Sequence, residues 1–131
     1  MASNSSRDFT IAVDFDGTIV SHAYPEIGAD LGGIPVLKEL QERGYQLILY
    51  SMRSGRLLRE AVEWCQARGL KFRAVNENPD QKSWTDSPKV HADLYIDDSA
   101  LGCPIKFLDD VPRPAVDWKR VREQLERDGL L

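Results

Sequence analysis

The sequence lacks the features that mark several classes of protein. It has only two cysteines in 131 residues, Cys65 and Cys103, which are too few for a disulfide framework and do not have the spacing of metal ligands. No apolar run approaches the roughly 20 residues that a membrane-spanning helix needs. The first eight residues contain no apolar stretch of the kind found in secretory signals. We therefore expect a cytoplasmic protein with no membrane association.

An excess of basic charge is also missing. Lysine and arginine total 17 against 21 aspartates and glutamates, for a net charge of −4 at pH 7, so no basic field is available to hold a nucleic-acid backbone. Neither a G-x-x-x-x-G-K-[ST] loop nor a G-x-G-x-x-G loop is present. Hydrophobic residues make up 42% of the chain, as in ordinary globular proteins. We expect residues 1–131 to form one domain, with residues 1–8 as a flexible N-terminus.

Strand and helix patterns alternate along the chain. Apolar, β-rich runs predict strands, and apolar residues at helical spacing predict helices. The predicted strands are 9–13, 45–50, 72–75 and 92–96, and the predicted helices are 34–44, 56–68 and 116–128. Residues 99–115 read as a loop, with a short strand around 105–108. The alternation predicts a three-layer α/β/α, Rossmann-like domain whose central parallel sheet carries helices on both faces.

Acidic residues follow two of the predicted strands. Asp14 and Asp16 come directly after the first strand, and Asp97 and Asp98 come after the fourth. The carboxyl ends of parallel strands share one edge of the sheet, where ligands bind. Carboxylates gathered in a pocket repel one another unless a cation relieves them, and Mg²⁺ prefers oxygen ligands. The sequence therefore predicts an Mg²⁺ site at this edge, with either Asp97 or Asp98 as the direct ligand.

Candidate phosphate contacts occur near the same edge. Ser51 ends the second strand, where its hydroxyl could bind a phosphate oxygen, and Arg53 could add a charge-assisted contact. Lys89 precedes the fourth strand, and its ammonium would offset the carboxylate charge. Lys82 is the alternative lysine, at a less favourable position. Each of these residues taken alone more commonly has a capping or solvent-exposed role.

Three other polar or aromatic residues are weaker candidates. His22 lies in the loop after the first acidic pair, where it could touch a substrate, although a solvated loop histidine is the commoner outcome. Tyr24 lies in the same loop and, like Trp84, could line the entrance of a site. Trp84 lies in a polar loop and could line the entrance of a site.

Asp14-Phe15-Asp16-Gly17-Thr18 resembles the first motif, D-x-D-G-T, of the haloacid dehalogenase-like (HAD) superfamily. Ser51, Lys89 and then Asp97-Asp98 follow in the order of the remaining motifs, so the resemblance spans about residues 9–99. It implies an Mg²⁺-dependent phosphatase that forms an aspartyl-phosphate on Asp14, with Asp16 as general acid and base. It also implies that Ser51 and Lys89 bind the phosphoryl group. Mg²⁺ would be held by Asp14, the Asp16 backbone carbonyl and Asp97, with Asp98 close by.

The lengths of two loops bear on the substrate. Members of this superfamily usually carry a cap domain in one of two positions, which correspond here to 18–33 and 76–88, and both segments are too short for one. The resemblance thus implies a capless member with an open site, which takes a small or macromolecular phosphorylated substrate and which a neighbouring protomer could cover. The stretch 79–92 also leaves no room for a full helix, so Lys89 would come from a loop or a single turn.

Two other functions remain open. A receiver-type signalling module also accepts a phosphoryl group on an aspartate in a small parallel α/β domain. In receivers, however, the lysine follows the last motif strand, whereas Lys89 precedes Asp97. The other alternative is a HAD-like binding domain without catalytic activity, against which the complete set of motif residues argues.

Overall fold

The computed structural model describes residues 9–131, and the predicted flexible terminus 1–8 lies outside them. Four parallel strands form a central sheet in the order β3-β2-β1-β4. They are β1 (Thr10–Val13), β2 (Gln46–Leu49), β3 (Ala74–Val75) and β4 (Leu94–Ile96). The helices are α1 (Ile34–Glu42), α2 (Gly55–Ala67) and α3 (Trp118–Arg127). The predicted alternation of strands and helices is confirmed, with most element ends one or two residues inside the predicted limits. No helix among residues 9–131 is long and apolar enough to cross a membrane.

The register of the sheet brings the predicted acidic strand ends together. Val13, the last residue of β1, lies beside Leu49 of β2 and Ile96 of β4. All four residues of β1 are buried, as expected for a central parallel strand with both faces covered. Because β1 and β4 are neighbours and end at the same level, the residues that follow them share one edge of the sheet.

All three helices pack on the same face of this sheet. The main hydrophobic cluster contains alternate strand residues, and their register neighbours, together with apolar residues of α1, α2 and α3. Side chains alternate between the faces of a strand, so these helices contact one face only. The strand members of the cluster are Ile11, Val13, Leu47, Leu49 and Ile96, and the helix members include Leu37, Leu40, Ala61, Cys65, Val121 and Leu125.

An irregular segment contributes to the other face, which differs from the predicted three-layer arrangement. Tyr95 lies in register with Ala12 on that face, and its hydroxyl donates to the Val90 carbonyl at 2.7 Å. The segment 76–93 holds one short 3₁₀ turn, Gln81–Ser83. The buried side chain of Gln81 shapes this segment, since its amide donates to the Lys89 carbonyl and its oxygen accepts from the His91 N–H. The absence of a full helix between β3 and β4 agrees with the sequence prediction.

The predicted short strand around 105–108 is confirmed, and a second strand that the sequence does not predict completes a β-hairpin within the segment 99–115. Strands β5 (Ile105–Leu108) and β6 (Val111–Val116) pair antiparallel. The hairpin joins the core through its last residue, because the Val116 N–H donates to the Gly17 carbonyl at 2.9 Å. It therefore ends beside the loop that follows β1, and α3 begins directly afterwards, where the Asp117 side chain accepts a hydrogen bond from the Arg120 N–H.

Candidate metal and phosphate site

Three of the four predicted acidic residues converge beyond the carboxyl ends of β1 and β4. Asp14, Asp97 and Asp98 each offer a carboxylate oxygen, and these oxygens lie within 4.8 Å of one another. The Asp14 N–H donates to the carbonyl of Ile96 at 3.0 Å, which ties the end of β1 to the end of β4. The three residues are half-buried. Such a cluster of oxygen ligands suits a hard divalent cation.

The electrostatics of the cluster show the cost of leaving it without a cation. Burial, together with the nearby charges of Asp97 and Asp98, raises the pKa of Asp14 from 3.8 to about 8, against a hydrogen bond from Thr18 that lowers it. Carboxylates this close cannot all ionise readily at neutral pH. A bound divalent cation would stabilise all three in their charged forms.

The loop after β1 shapes the site through Gly17 and Thr18. Gly17 has φ +81°, and a Cβ there would collide with the His22 ring and lie 2.6 Å from Asp98 Oδ2, so only glycine fits. The buried Thr18 hydroxyl donates to Asp14 Oδ2 at 2.9 Å and accepts from the Asp98 N–H at 3.1 Å. Thr18 thus links the two acidic strand ends directly.

The two C-terminal carboxylates have different surroundings. Asp98 Oδ2 lies 2.8 Å from His22 Nε2, and its Oδ1 lies 3.4 Å from the Thr18 hydroxyl. Asp97 Oδ1 accepts from the Ser99 N–H at 2.8 Å, while no described residue donates to its Oδ2. Of the two alternatives, Asp97 therefore keeps the freer oxygen for a cation, and Asp98 is held by His22.

Asp16 has a partner that the sequence did not indicate. Arg53 donates from Nε to Asp16 Oδ2 and from a terminal nitrogen to Asp16 Oδ1, both at 2.8 Å. This bidentate arrangement is the strongest geometry for an arginine and a carboxylate. The hydrogen bond to Asp16 raises the pKa of Arg53. Both carboxylate oxygens of Asp16 thus contact the guanidinium of Arg53, which is always positively charged.

The structure buries Arg53, whereas the sequence predicts it as a contact to the phosphate of a ligand. Its side chain is 0% exposed, and its remaining N–H groups donate to the backbone carbonyls of Glu26 at 2.8 Å and of Pro25 and Leu57 at 3.3 Å. The guanidinium also lies over the rings of Phe15 and Tyr24. All the donors of Arg53 are therefore used within the protein, and the side chain links Asp16 to the carbonyls of Pro25 and Glu26 in the same loop after β1.

The remaining predicted phosphate contacts lie outside the depression that contains the carboxylates. The Ser51 N–H donates to the Asn76 side chain at 2.7 Å, and the Ser51 hydroxyl accepts from the Arg53 N–H at 3.0 Å. Lys89 is exposed in the loop before β4, with its ammonium 6.0 Å from the Tyr95 ring centroid. Lys82 lies in the 3₁₀ turn and lines a separate depression. Neither lysine lines the surface around Asp14.

The depression itself has a floor and a rim of different character. It has a volume of about 510 Å³. The floor consists of the half-buried carboxylates of Asp14, Asp97 and Asp98, together with His22. The rim consists of four exposed residues, Tyr24, Met52, Ser99 and Arg113. The depression therefore has an acidic floor, whose carboxylates could hold a cation, and a rim that is partly apolar and partly basic.

Comparison with known proteins gives one informative match. No protein-family profile matches the chain, and no curated protein matches it. A conserved protein from Bacteroides thetaiotaomicron, whose structure has been solved, is 44% identical in sequence. The match covers 91% of this chain and 90% of that one, with a TM-score of 0.73. The chain belongs to the same family as that protein.

The sequence does not predict two residues of the site, Thr18 and Arg113, as separate candidates. Thr18 belongs to the D-x-D-G-T motif, and the order Asp14-x-x-x-Thr18 is the signal that would place a hydroxyl near the first carboxylate. Arg113 gave no signal, because it lies in a stretch rich in proline that reads as a loop. Trp84, considered for the entrance, packs against the His91 ring and does not line the depression.

Proposed function

We propose that this protein is an Mg²⁺-dependent phosphatase of the HAD-like type, which hydrolyses phosphomonoesters through an aspartyl-phosphate on Asp14. The observation that carries the proposal is the convergence of Asp14, Asp97 and Asp98 within 4.8 Å at the carboxyl ends of two adjacent parallel strands. Asp14 comes directly after the central strand and faces an open depression. This is the geometry that a nucleophilic carboxylate beside a metal site requires.

The donor set fits Mg²⁺. Asp14 and Asp97 would hold the ion, with the Asp16 backbone carbonyl, because the Asp16 side chain is occupied by Arg53. Asp98 would act beside them, held by His22. The bound ion would neutralise the charge of the carboxylates and of the phosphoryl oxygens. Hard oxygen donors and an open side for phosphate are typical of magnesium sites.

The residues of the site support a two-step reaction. An Asp14 carboxylate oxygen attacks phosphorus, the bond to the ester oxygen breaks, and that oxygen leaves with its electron pair and takes up a proton. A water molecule then attacks the phosphorus of the aspartyl-phosphate, the bond to Asp14 breaks, and inorganic phosphate leaves. Thr18 orients Asp14 through its 2.9 Å hydrogen bond. The roles of Ser51 and Lys89 in binding phosphoryl oxygens are proposed from the resemblance to the HAD superfamily alone, since neither residue lines the depression in this structure.

Asp16 is the proposed proton donor and acceptor, and Arg53 sets the conditions under which it works. Both oxygens of Asp16 already accept hydrogen bonds from Arg53. A proton taken up by either oxygen would weaken one of these bonds, so Asp16 can act as the base that activates water only when part of the pair opens. Its action as the acid for the leaving group requires part of the pair with Arg53 to open.

The same observation favours a second candidate function. If the pair between Asp16 and Arg53 does not open, the protein would accept a phosphoryl group on Asp14 and release it slowly, as a phospho-accepting signalling module does. A HAD-like binding domain without activity would show neither behaviour. Turnover, a long-lived phosphoryl-protein and the lack of both are therefore three distinguishable outcomes.

The test is a phosphate-release screen on a panel of phosphorylated metabolites and aryl phosphates, with and without Mg²⁺. We expect release that depends on Mg²⁺, stops with EDTA and is absent in Asp14→Asn. Retained activity in Asp14→Asn contradicts the mechanism. A phosphoryl group that stays on the protein after treatment with acetyl phosphate, without turnover, supports the signalling function instead.

A further inference from the structure

Arg113 is the one cation of the depression that has no partner among the described residues. Of the other two basic residues there, His22 contacts Asp98 and Arg53 is buried against Asp16. Arg113 is exposed, and no described group accepts a hydrogen bond from it. A guanidinium without a partner among the described residues is available to bind an anionic group of a ligand.

The hairpin holds Arg113 in a restricted conformation. Arg113 lies between Pro112 and Pro114 in β6. Proline fixes its own φ and disfavours helical conformations in the residue before it, which keeps Arg113 extended. The hairpin is anchored at its end by the bond from Val116 to Gly17. The backbone of Arg113 is thus held in one conformation before a ligand binds, which lowers the conformational entropy lost on binding.

The position of Arg113 on the rim indicates which part of a ligand it meets. The carboxylates that would hold Mg²⁺ and the transferred phosphoryl group form the half-buried floor, whereas Arg113, Tyr24 and Met52 are exposed. Tyr24 and Met52 are 60% and 98% exposed. The rim therefore contacts the leaving group and not the phosphorus, and it offers that group one cation, one aromatic ring and one flexible apolar side chain.

We propose that Arg113 is a specificity-determining residue that binds a second anionic group on the substrate, at the far side of an apolar or aromatic leaving group. The substrate class is then a phosphomonoester whose alcohol or phenol portion carries a carboxylate or a further phosphate. This inference rests on the proposed phosphatase function and adds the chemistry of the leaving group to it.

Charge balance supports the assignment. Four carboxylates surround the depression, and a bound Mg²⁺ together with the buried Arg53 would compensate all but one of their negative charges. The positive charge of Arg113 would balance the one negative charge that remains, so a substrate with a second anionic group would meet a site without net negative charge. Without Arg113, such a substrate would meet repulsion added to the loss of a direct contact.

The experiment compares two substrates that differ by one anion, phenyl phosphate and 4-carboxyphenyl phosphate. Mg²⁺-dependent kcat/KM is measured for both with the wild type, Arg113→Ala, Arg113→Lys and the control Lys106→Ala. Lys106 is exposed on β5 of the same hairpin and does not line the depression. Taking the ratio of the two substrates for each protein cancels the difference in leaving-group reactivity.

We expect Arg113→Ala to lower the ratio of 4-carboxyphenyl to phenyl phosphate by about tenfold, Arg113→Lys to lower it less, and Lys106→Ala to leave it unchanged. An unchanged ratio in Arg113→Ala overturns the inference. An equal loss on both substrates also overturns it, because Arg113 would then contact the phosphoryl group itself.

A binding measurement separates this inference from the proposed function. Asp14→Asn protein, in Mg²⁺, is titrated calorimetrically with both esters, with and without Arg113→Ala. A preference for the carboxylated ester that disappears with Arg113→Ala supports the inference even if the wild type hydrolyses neither compound, whereas that lack of hydrolysis counts against the phosphatase function alone. Equal affinity for the two esters refutes the role of Arg113.

Discussion

The pair between Arg53 and Asp16 should be among the most important single interactions for the stability of this fold. Replacing Arg53 by methionine keeps much of the volume of the side chain and removes its charge and all its donors. Asp16 then loses two hydrogen bonds of 2.8 Å, and its side chain, only 18% exposed, keeps its charge without a cation. Three backbone carbonyls, those of Pro25, Glu26 and Leu57, also lose a donor.

The expected loss follows from these contacts. Breaking a buried ion pair by removing one partner costs roughly 3–5 kcal/mol, because the remaining charge stays uncompensated. For a domain of this size, such a loss lowers the melting temperature by roughly 10–20 °C. The control is Arg56→Met, since Arg56 pairs with Glu60 on the exposed side of α2 and such surface pairs contribute about 0.3–0.5 kcal/mol.

The assay is urea unfolding of both variants and of the double variant Arg53→Met with Asp16→Asn. The double variant should recover part of the loss, because it removes the uncompensated charge. If Arg53→Met lowers the free energy of unfolding no more than Arg56→Met, the pair does not hold the loop after β1. If Asp16→Asn restores nothing, the loss arises from packing and not from charge.

Further predictions concern the metal site and its support. In EDTA, Asp14→Asn should be more stable than the wild type at pH 8 by a few kcal/mol. The pKa of Asp14 is about 8 in the folded protein instead of 3.8, so between these two pH values the folded wild type binds more protons than the unfolded chain. The wild type therefore loses stability as the pH rises from 3.8 to about 8. Urea unfolding at pH 5 should show a smaller difference, and an equal one would contradict the raised pKa. Asp97→Asn should weaken Mg²⁺ binding, measured by calorimetry, more than Asp98→Asn, because Asp97 has the freer oxygen; the reverse order would make Asp98 the direct ligand. Trp118→Phe should lower the free energy of unfolding by about 1–3 kcal/mol, since it removes a buried donor 2.6 Å from the Thr18 carbonyl, and a loss within error would show that this bond is dispensable.

The sequence was sufficient to predict the parallel sheet and the meeting of three carboxylates, for a simple physical reason. Runs such as Thr10–Val13 are buried on both faces, and their composition reports that burial directly. Once the strands are parallel, whatever follows them must share an edge. The second face carries the irregular segment 76–93, through Val90 and Gln81, in place of the predicted helix layer. Hydrophobic periodicity along the sequence cannot predict an irregular segment that side-chain hydrogen bonds hold in place.

The sequence predicts the first strand of the hairpin, β5, but not β6, because Pro112 and Pro114 count against a strand in any scheme based on propensity. Proline is tolerated where a strand does not need the N–H for a ladder, and β6 pairs on one side only, with β5. Whether an edge is free depends on the tertiary arrangement. The same limit applies to Arg53, whose partner Asp16 is 37 residues away and whose sequence neighbours suggest an exposed turn.

These misses share a cause, which bears on how the proposed phosphatase would acquire specificity. Residues that carry chemistry sit at strand ends, where the repeating hydrogen-bond pattern of the sheet fixes their positions. His22, Arg53 and Arg113 come from the loop after β1, the turn after β2 and the hairpin, whose conformations depend on contacts distant in sequence. Such segments can change without disturbing the sheet, so we expect substitutions at the rim, as at Arg113, to redirect the substrate preference of the proposed enzyme while the acidic floor stays intact.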